Sequence, residues 1–505
     1  MSKWKSVLVI TLVAVSSLAA IAFSQSSGGV LTVAISADPV GFDPHKTSAY
    51  SSFEVLENVY DTLVSVGDDL RPIPDLAKTW TTSEDGLTWT FNLRDGVTFH
   101  NGDPLTAQDV KYSLERIMNP DTGSGAAWRL AAVKSISAPN AHTVVINLKY
   151  PYPGLLTKLG GYKGMAIVDK KTVDDGTINT HPVGTGPFMF VQYVPGDQVV
   201  LEKNQNYWQE GKPYLDKVVY RIIPDETVRV TSLLTNEIDW IDSVPPQRIS
   251  ELQNNSALVV GETSGTSYWY IGVNLKHPPF DDRRVRRAIA YAIDRKEIAA
   301  AAKWEAATPN DGPIPSSSFY YADIHPFLGH ESLAKAKELL KEAGYPDGFK
   351  ADIMVTNFYP ETVRSALTLQ SELKALGIEL EIRVLEWGTW LNEEAAGNFD
   401  LFVLGWIGNL DPDDYFYAQH HTGEVFNFTG YSNSEVDTLL DQGRQETDPE
   451  KRFAIYKQVQ DLVINDAPYI YLYVPNVVQA WHPWVQGYST RSDEAIRFTD
   501  TFIKK

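Results

Sequence analysis

Two hydrophobic periodicities take turns along the chain, and their order sketches the fold. Trp89, Phe91 and Leu93 alternate with Thr88, Thr90 and Asn92, the period of a half-buried strand. Asp95-Gly96 supplies turn chemistry and a second short strand follows. Thr106, with Asp109 three residues on, then opens a helix near Gln108 to Met118, whose apolar face is Val110, Leu114 and Ile117. Upstream, Leu31 to Ile35 reads as a strand, Ser36 to Pro44 as a loop, and Thr47 to Leu63 as a helix with Phe53, Leu56 and Tyr60 on one face. Thr143 to Leu148 predicts another strand. The Gly/Pro break Val183-Gly184-Thr185-Gly186-Pro187-Phe188 reopens into strands around 188–194 and 198–202.

After Tyr268-Trp269-Tyr270-Ile271-Gly272-Val273-Asn274 and the Pro278-Pro279 crossing, the style changes. Asp281 or Asp282 caps a helix carrying Val285, Ala288, Ile289, Ala292 and Ile293 at helical spacing, and Asp294 with Glu297 forms a capping box. Next come a strand over 351–356 and a helix over 361–376 ended by Gly377. Ile378 to Leu385 alternates with Ile378, Leu380, Ile382 and Val384 on one face; a helix over 387–396 leads into a strand over 401–406. Strand and helix in alternation predict an α/β unit with largely parallel pairing. The break near 276–281 marks the domain boundary, and no internal repeat is visible.

Composition places the protein outside the cytoplasm. Lys3 and Lys5, the apolar run Val7 to Ala20, and small residues at Ala20 and Ala22 read as a cleaved signal peptide over 1–22. The sequence has no Cys. A lipid-modified N-terminal Cys is therefore impossible, and a free periplasmic protein is expected. No other stretch is apolar for long enough to span a bilayer. Removing Lys3 and Lys5 leaves 42 basic against 64 acidic side chains, a net charge of −22. That balance opposes nucleic acid and anionic membranes, which need clustered Lys and Arg.

The stretch from Asp85 through Asn101-Gly102-Asp103-Pro104-Leu105-Thr106 to Val110 resembles the signature of the family 5 extracytoplasmic solute-binding proteins, the peptide and nickel type that serve ABC importers. Val183 to Phe188, Asn206-Tyr207-Trp208, Pro279-Phe280-Asp281-Asp282, Val285-Arg286-Arg287-Ala288, Gly405-Trp406 and Tyr431-Ser432-Asn433 match in the family order. The resemblance implies an α/β fold, the bilobal periplasmic-binding-protein type II fold with an extra inserted α+β domain. Lobe I would comprise 30–66, 184–277 and 482–505, with 67–183 inserted in it; lobe II would comprise 281–479. Segments 276–281 and about 476–485 would serve as hinges. It further implies a monomeric, non-enzymatic receptor without cofactor, partnered by a membrane permease and binding peptides or peptide-like solutes. An oligosaccharide is the alternative ligand, since 13 Trp give ample stacking material. A secreted hydrolase is the alternative from another class.

No G-x-S-x-G, phosphate-cradling loop or H-E-x-x-H motif occurs. His420-His421 are chain neighbours that point apart, and Asp411, Asp413 and Asp414 fit helix capping better than calcium spacing, so no metal is expected. Gly405-Trp406-Ile407-Gly408-Asn409 follows a strand at a carboxyl end of the predicted sheet, where open α/β sheets place ligands. Trp406 can stack on a ligand and Asn409 can hydrogen-bond it. Tyr268, Trp269, Tyr270 and Asn274 are candidates from the other side of the cleft. Ser36, Asp38 and Trp128 are candidates because the family uses the loop after the first strand and the inserted domain as cleft walls. Dipeptide-binding relatives carry an Asp where Asn409 stands, to hold the ligand's ammonium, and an Arg where Thr356 or Asn357 stands, to hold its carboxylate. Both ends of that clamp are missing here, so free dipeptides are expected to bind weakly.

Overall fold

The computed structural model describes residues 28–504 except 48, 162, 305, 358, 407–409 and 425. The signal peptide and Asn409 lie outside the described residues. One continuous sheet of twelve strands runs through both lobes. Its spine is the 13-residue strand Tyr469–Trp481. The first part of this strand pairs with Tyr268–Val273, and the last part pairs with Val259–Ser264 and Trp240–Ile241. The chain therefore crosses between lobes at 264–268 and again at 473–476.

On one side of the crossing, Val30–Ile35 is flanked in parallel by Lys217–Ile222 and Trp240–Ile241. On the other, Lys350–Thr356 is flanked in parallel by Glu379–Leu385 and Leu401–Trp406. Tyr268–Val273, which a boundary at 276–281 leaves with the first lobe, is bonded on both edges to Leu401–Trp406 and Tyr469–Tyr473. Its six residues are all buried in the hydrophobic core that includes Val285, Leu369, Phe402 and Tyr469. A separate core, including Phe91, Val110, Ile117 and Ile146, underlies the four-stranded antiparallel sheet of the inserted unit.

The signature stretch folds as its pattern predicts in most respects. Thr88–Leu93 is a strand with strictly alternating burial. Thr106 and Asp109 form the capping box of the helix Ala107–Met118, and the Asp109 carboxylate accepts the Thr106 N–H at 2.8 Å. The expected second strand shrinks to one bridge between Thr98 and Pro104. The expected helix 47–63 is shorter as well, spanning only Tyr50–Leu56. Beyond it the carbonyls of Asn58 and Val59 accept from the N–H groups of Phe188 and Gly186, so a tertiary contact replaces the last helical turns. The same contact explains the glycines of the Val183–Phe188 break. A Cβ on Gly184 would sit 2.1 Å from the Val59 carbonyl oxygen.

In the second lobe, Asp282 is the cap of the helix Arg283–Ala292, and Gly377 ends its helical segment at φ 76°. The alternation of the strand Glu379–Leu385 is only half used. Ile378 and Leu380 are buried, whereas Val384 is 47% exposed because no element covers that end.

Candidate functional site

The carboxyl ends of the parallel strands carry the polar and aromatic groups nearest the crossing. In the first lobe the loop after Ile35 is held by Asp242, which follows Trp240–Ile241: the Ser36 N–H donates to its carboxylate at 2.8 Å. Asp242 is buried beside Arg229, whose Nε lies 3.2 Å away. Burial raises the Asp242 carboxyl above its ordinary value despite the guanidinium, which pulls the other way. Asp38 anchors the same loop, accepting from the Tyr193 hydroxyl at 2.8 Å and the Gly196 N–H at 2.9 Å. Opposite the loop stand Tyr50 and Glu54, on one face of the helix Tyr50–Leu56. The Tyr50 hydroxyl donates to the Glu494 carbonyl at 3.0 Å.

On the second lobe the strand Leu401–Trp406 ends in Trp406. Its ring meets Phe426 edge-on at 5.3 Å, and its indole N–H is buried without a hydrogen-bond partner among the described residues. Trp269 lies flat against Gly405, where a Cβ would fall 2.7 Å from its ring. It stacks on Tyr473 and edges against Tyr359. Tyr268 is fully buried, stacked on Tyr415 and edge-on to Tyr471, and its hydroxyl has no partner. Tyr270 stacks on Tyr469 at 4.0 Å. Tyr268 pairs across the strands with Trp406, and Tyr270 shares their face of the sheet, whereas Trp269 lies on the other face.

Both walls flank one crossing segment. A Cβ on Gly265 would lie 3.9 Å from a Glu494 carboxylate oxygen, and the Thr266 carbonyl accepts from the Tyr415 hydroxyl at 2.9 Å. Glu494 of the first lobe and Tyr415 of the second thus approach adjacent residues, Gly265 and Thr266, of one crossing segment.

Other candidates from sequence have their polar groups committed elsewhere. Asn274 donates to the carbonyls of Gly397 and Phe399 and accepts from the Lys276 N–H. Thr356 is buried, and its backbone groups are bonded to the Thr362 hydroxyl. Trp128 lies on the inserted unit, 54% exposed, with Lys158 Nζ 4.7 Å above its ring. Asp411 caps the helix Pro412–His420 and takes both arms of buried Arg452 at 2.7 Å, while Asp413 pairs with Arg444. His420 is buried against Phe416 and Tyr469, where desolvation lowers its pKa to about 3, and His421 stacks on Tyr417. Among the described residues no three His, Cys, Asp or Glu are grouped to hold a metal ion, and no helix is long and apolar enough to cross a membrane. Glu54, Arg229, Asp242 and Glu494 escape sequence reasoning, because four distant segments supply them and no local motif marks any one.

The family model for bacterial extracellular solute-binding proteins, family 5, matches residues 71–427. The chain belongs to this family. Its members are the non-enzymatic, substrate-binding components of ABC importers. The glutathione-binding protein GsiB of Pectobacterium atrosepticum is 31% identical over 93% of both chains. Among solved structures, HbpA2 from Haemophilus parasuis superposes with a TM-score of 0.89 at 26% identity, over 94% of this chain and all of that one. The murein tripeptide-binding protein MppA, in its unliganded open form, superposes with a TM-score of 0.86 at 25% identity, over 95% of this chain and 99% of that one.

Proposed function

We propose that this solute-binding protein captures a peptide or peptide-like solute of a few residues between its lobes and passes it to the permease of an ABC importer. The observation that carries this reading is the pairing of walls across the crossing. Trp406 offers an aromatic ring at the carboxyl end of its strand, and the first lobe opposes it with buried polar groups. A peptide has both surfaces to offer, apolar side chains and a row of backbone donors and acceptors. The names of GsiB and MppA, a glutathione and a murein tripeptide binder, support the same class. Lobe closure about 264–268 and 473–476 would bury the ligand. The protein acts as an exported monomer, its acidic surface suits a periplasmic existence, and bound ligand is returned unchanged.

Calorimetry with glutathione, di-, tri- and tetrapeptides and a β-linked oligosaccharide tests the reading. A tri- or tetrapeptide or glutathione should bind one-to-one in the micromolar range or tighter and be recovered intact. Free dipeptides should bind more weakly. Binding of the oligosaccharide alone, or hydrolysis of any peptide, overturns it.

A further inference from the structure

The first lobe's wall contains a carboxylate for which the described residues supply no hydrogen-bond partner. Glu54 is 2% exposed, and neither of its carboxylate oxygens has a hydrogen-bond partner. Its charged surroundings are Asp242 and Glu494, which repel a negative charge, and Arg229, which attracts one. Arg229 is already engaged by Asp242 and by the carbonyls of Ile223 and Pro224. Glu54 and Asp242 thus share one committed cation. A buried acid without a partner is costly, and native proteins keep such groups where they serve a purpose. The groups around Glu54 are less covered than Glu54 itself. Tyr50 is 44% exposed and Glu494 is exposed, and Glu494 reaches the cleft floor at Gly265.

We propose that Glu54 and Glu494, beside Asp242, form the subsite for a cationic group of the bound solute, an ammonium or a guanidinium. This rests on the peptide reading and deepens it. The second lobe carries Asn409 where dipeptide-binding relatives place an acid for the ligand's ammonium, so a cation finds its counter-charge on the opposite wall. Burial, with Asp242 and Glu494 adding to it, holds the Glu54 carboxyl well above its ordinary value. The free protein therefore holds the Glu54 proton more tightly than an exposed carboxyl would. Docking of a cation favours the carboxylate, and the proton leaves to solvent. Tyr220 and Tyr488, whose hydroxyls burial also holds neutral, complete the surroundings and take no part in the exchange.

Titration calorimetry at neutral pH, in two buffers of different ionisation enthalpy, tests this with Ala-Ala-Ala, N-acetyl-Ala-Ala-Ala, N-acetyl-Ala-Lys-Ala and spermidine. The first two separate the terminal ammonium from no cation, and the third reads a side-chain ammonium. The expected result is at least about tenfold tighter binding of one cationic peptide than of the blocked one. Its binding should release a proton. Glu54→Gln should abolish both the preference and the release without lowering the melting temperature, and Glu494→Gln should weaken the preference. Peptides that bind equally whether cationic or blocked, with no proton released and no effect of Glu54→Gln, overturn the subsite and leave the peptide reading standing. If no peptide binds, the peptide reading fails. Spermidine binding with proton release then still supports the subsite, and its absence overturns the subsite too.

Discussion

Lys158 of the inserted unit and Asp414 of the second lobe meet at 2.5 Å with only 3% and 10% of their side chains exposed. Beside them Gly161 packs so closely on Leu410 that a Cβ would fall 2.3 Å from its methyl carbon. Phe319 and Asp69 add a backbone hydrogen bond across the same junction, and Arg71 lies 3.8 Å over the Phe319 ring. The inserted unit therefore does more than enlarge the first lobe. It bridges to the second lobe away from the crossing strands.

Removing one member of that pair should be harmful. Lys158→Met leaves Asp414 buried without its paired ammonium, a loss of about 3–5 kcal/mol where the two surfaces touch. Scanning calorimetry should show a lower melting temperature for the single variant, and Lys158→Met with Asp414→Leu should recover most of it. An unchanged melting temperature in the single variant would show that the pair braces nothing.

Trp406 and Asn274 should separate binding from folding. Trp406→Ala removes the ring proposed to stack on the solute while leaving the packed rings of Tyr268, Trp269 and Tyr270 in place. Affinity should fall at least about tenfold, with little change in melting temperature. Trp406→Phe should retain part of the affinity.

Asn274→Ala should do the reverse. It strips partners from the Gly397 and Phe399 carbonyls and the Lys276 N–H, at a cost of about 2–3 kcal/mol. Ligand affinity, measured by calorimetry well below the melting temperature, should stay within about twofold of the parent.

Local signals were legible in the sequence wherever a residue's role is set by its near neighbours. The Thr106–Asp109 box, the Asp282 cap, the Gly377 terminus and the alternation of Thr88–Leu93 all belong to this class. What the sequence could not show depends on contacts across hundreds of residues. The helix after Tyr50 stops early because Gly186 and Phe188 capture its carbonyls. Tyr268–Val273 joins the second lobe because both its edges find partners after residue 400. Trp406 was readable, as an aromatic residue at the carboxyl end of a strand. Glu54 was not, because its position in a helix looks like ordinary surface until Asp242 and Glu494 close around it.

Glu394 gives a pH signature. Burial alone pushes its carboxyl from 4.5 up to about 8. The folded state therefore holds this proton more tightly than the unfolded chain does. The resulting stability is fully present below the unfolded value and is lost as pH rises through the folded one, amounting to a few kcal/mol at most. Between about pH 5 and pH 8 the parent should lose more stability than Glu394→Gln. Parallel pH profiles for the two proteins in denaturant titrations would contradict this.

Capture between lobes is the claim on which the rest depends, and small-angle scattering reads it directly. The protein is measured alone and saturated with the tightest-binding peptide from calorimetry. Closure about 264–268 and 473–476 predicts a smaller radius of gyration in the saturated sample, and no such decrease for Trp406→Ala at the same peptide concentration. An unchanged radius at one-to-one saturation of the parent would contradict the account, because the peptide would then be bound somewhere other than between the lobes.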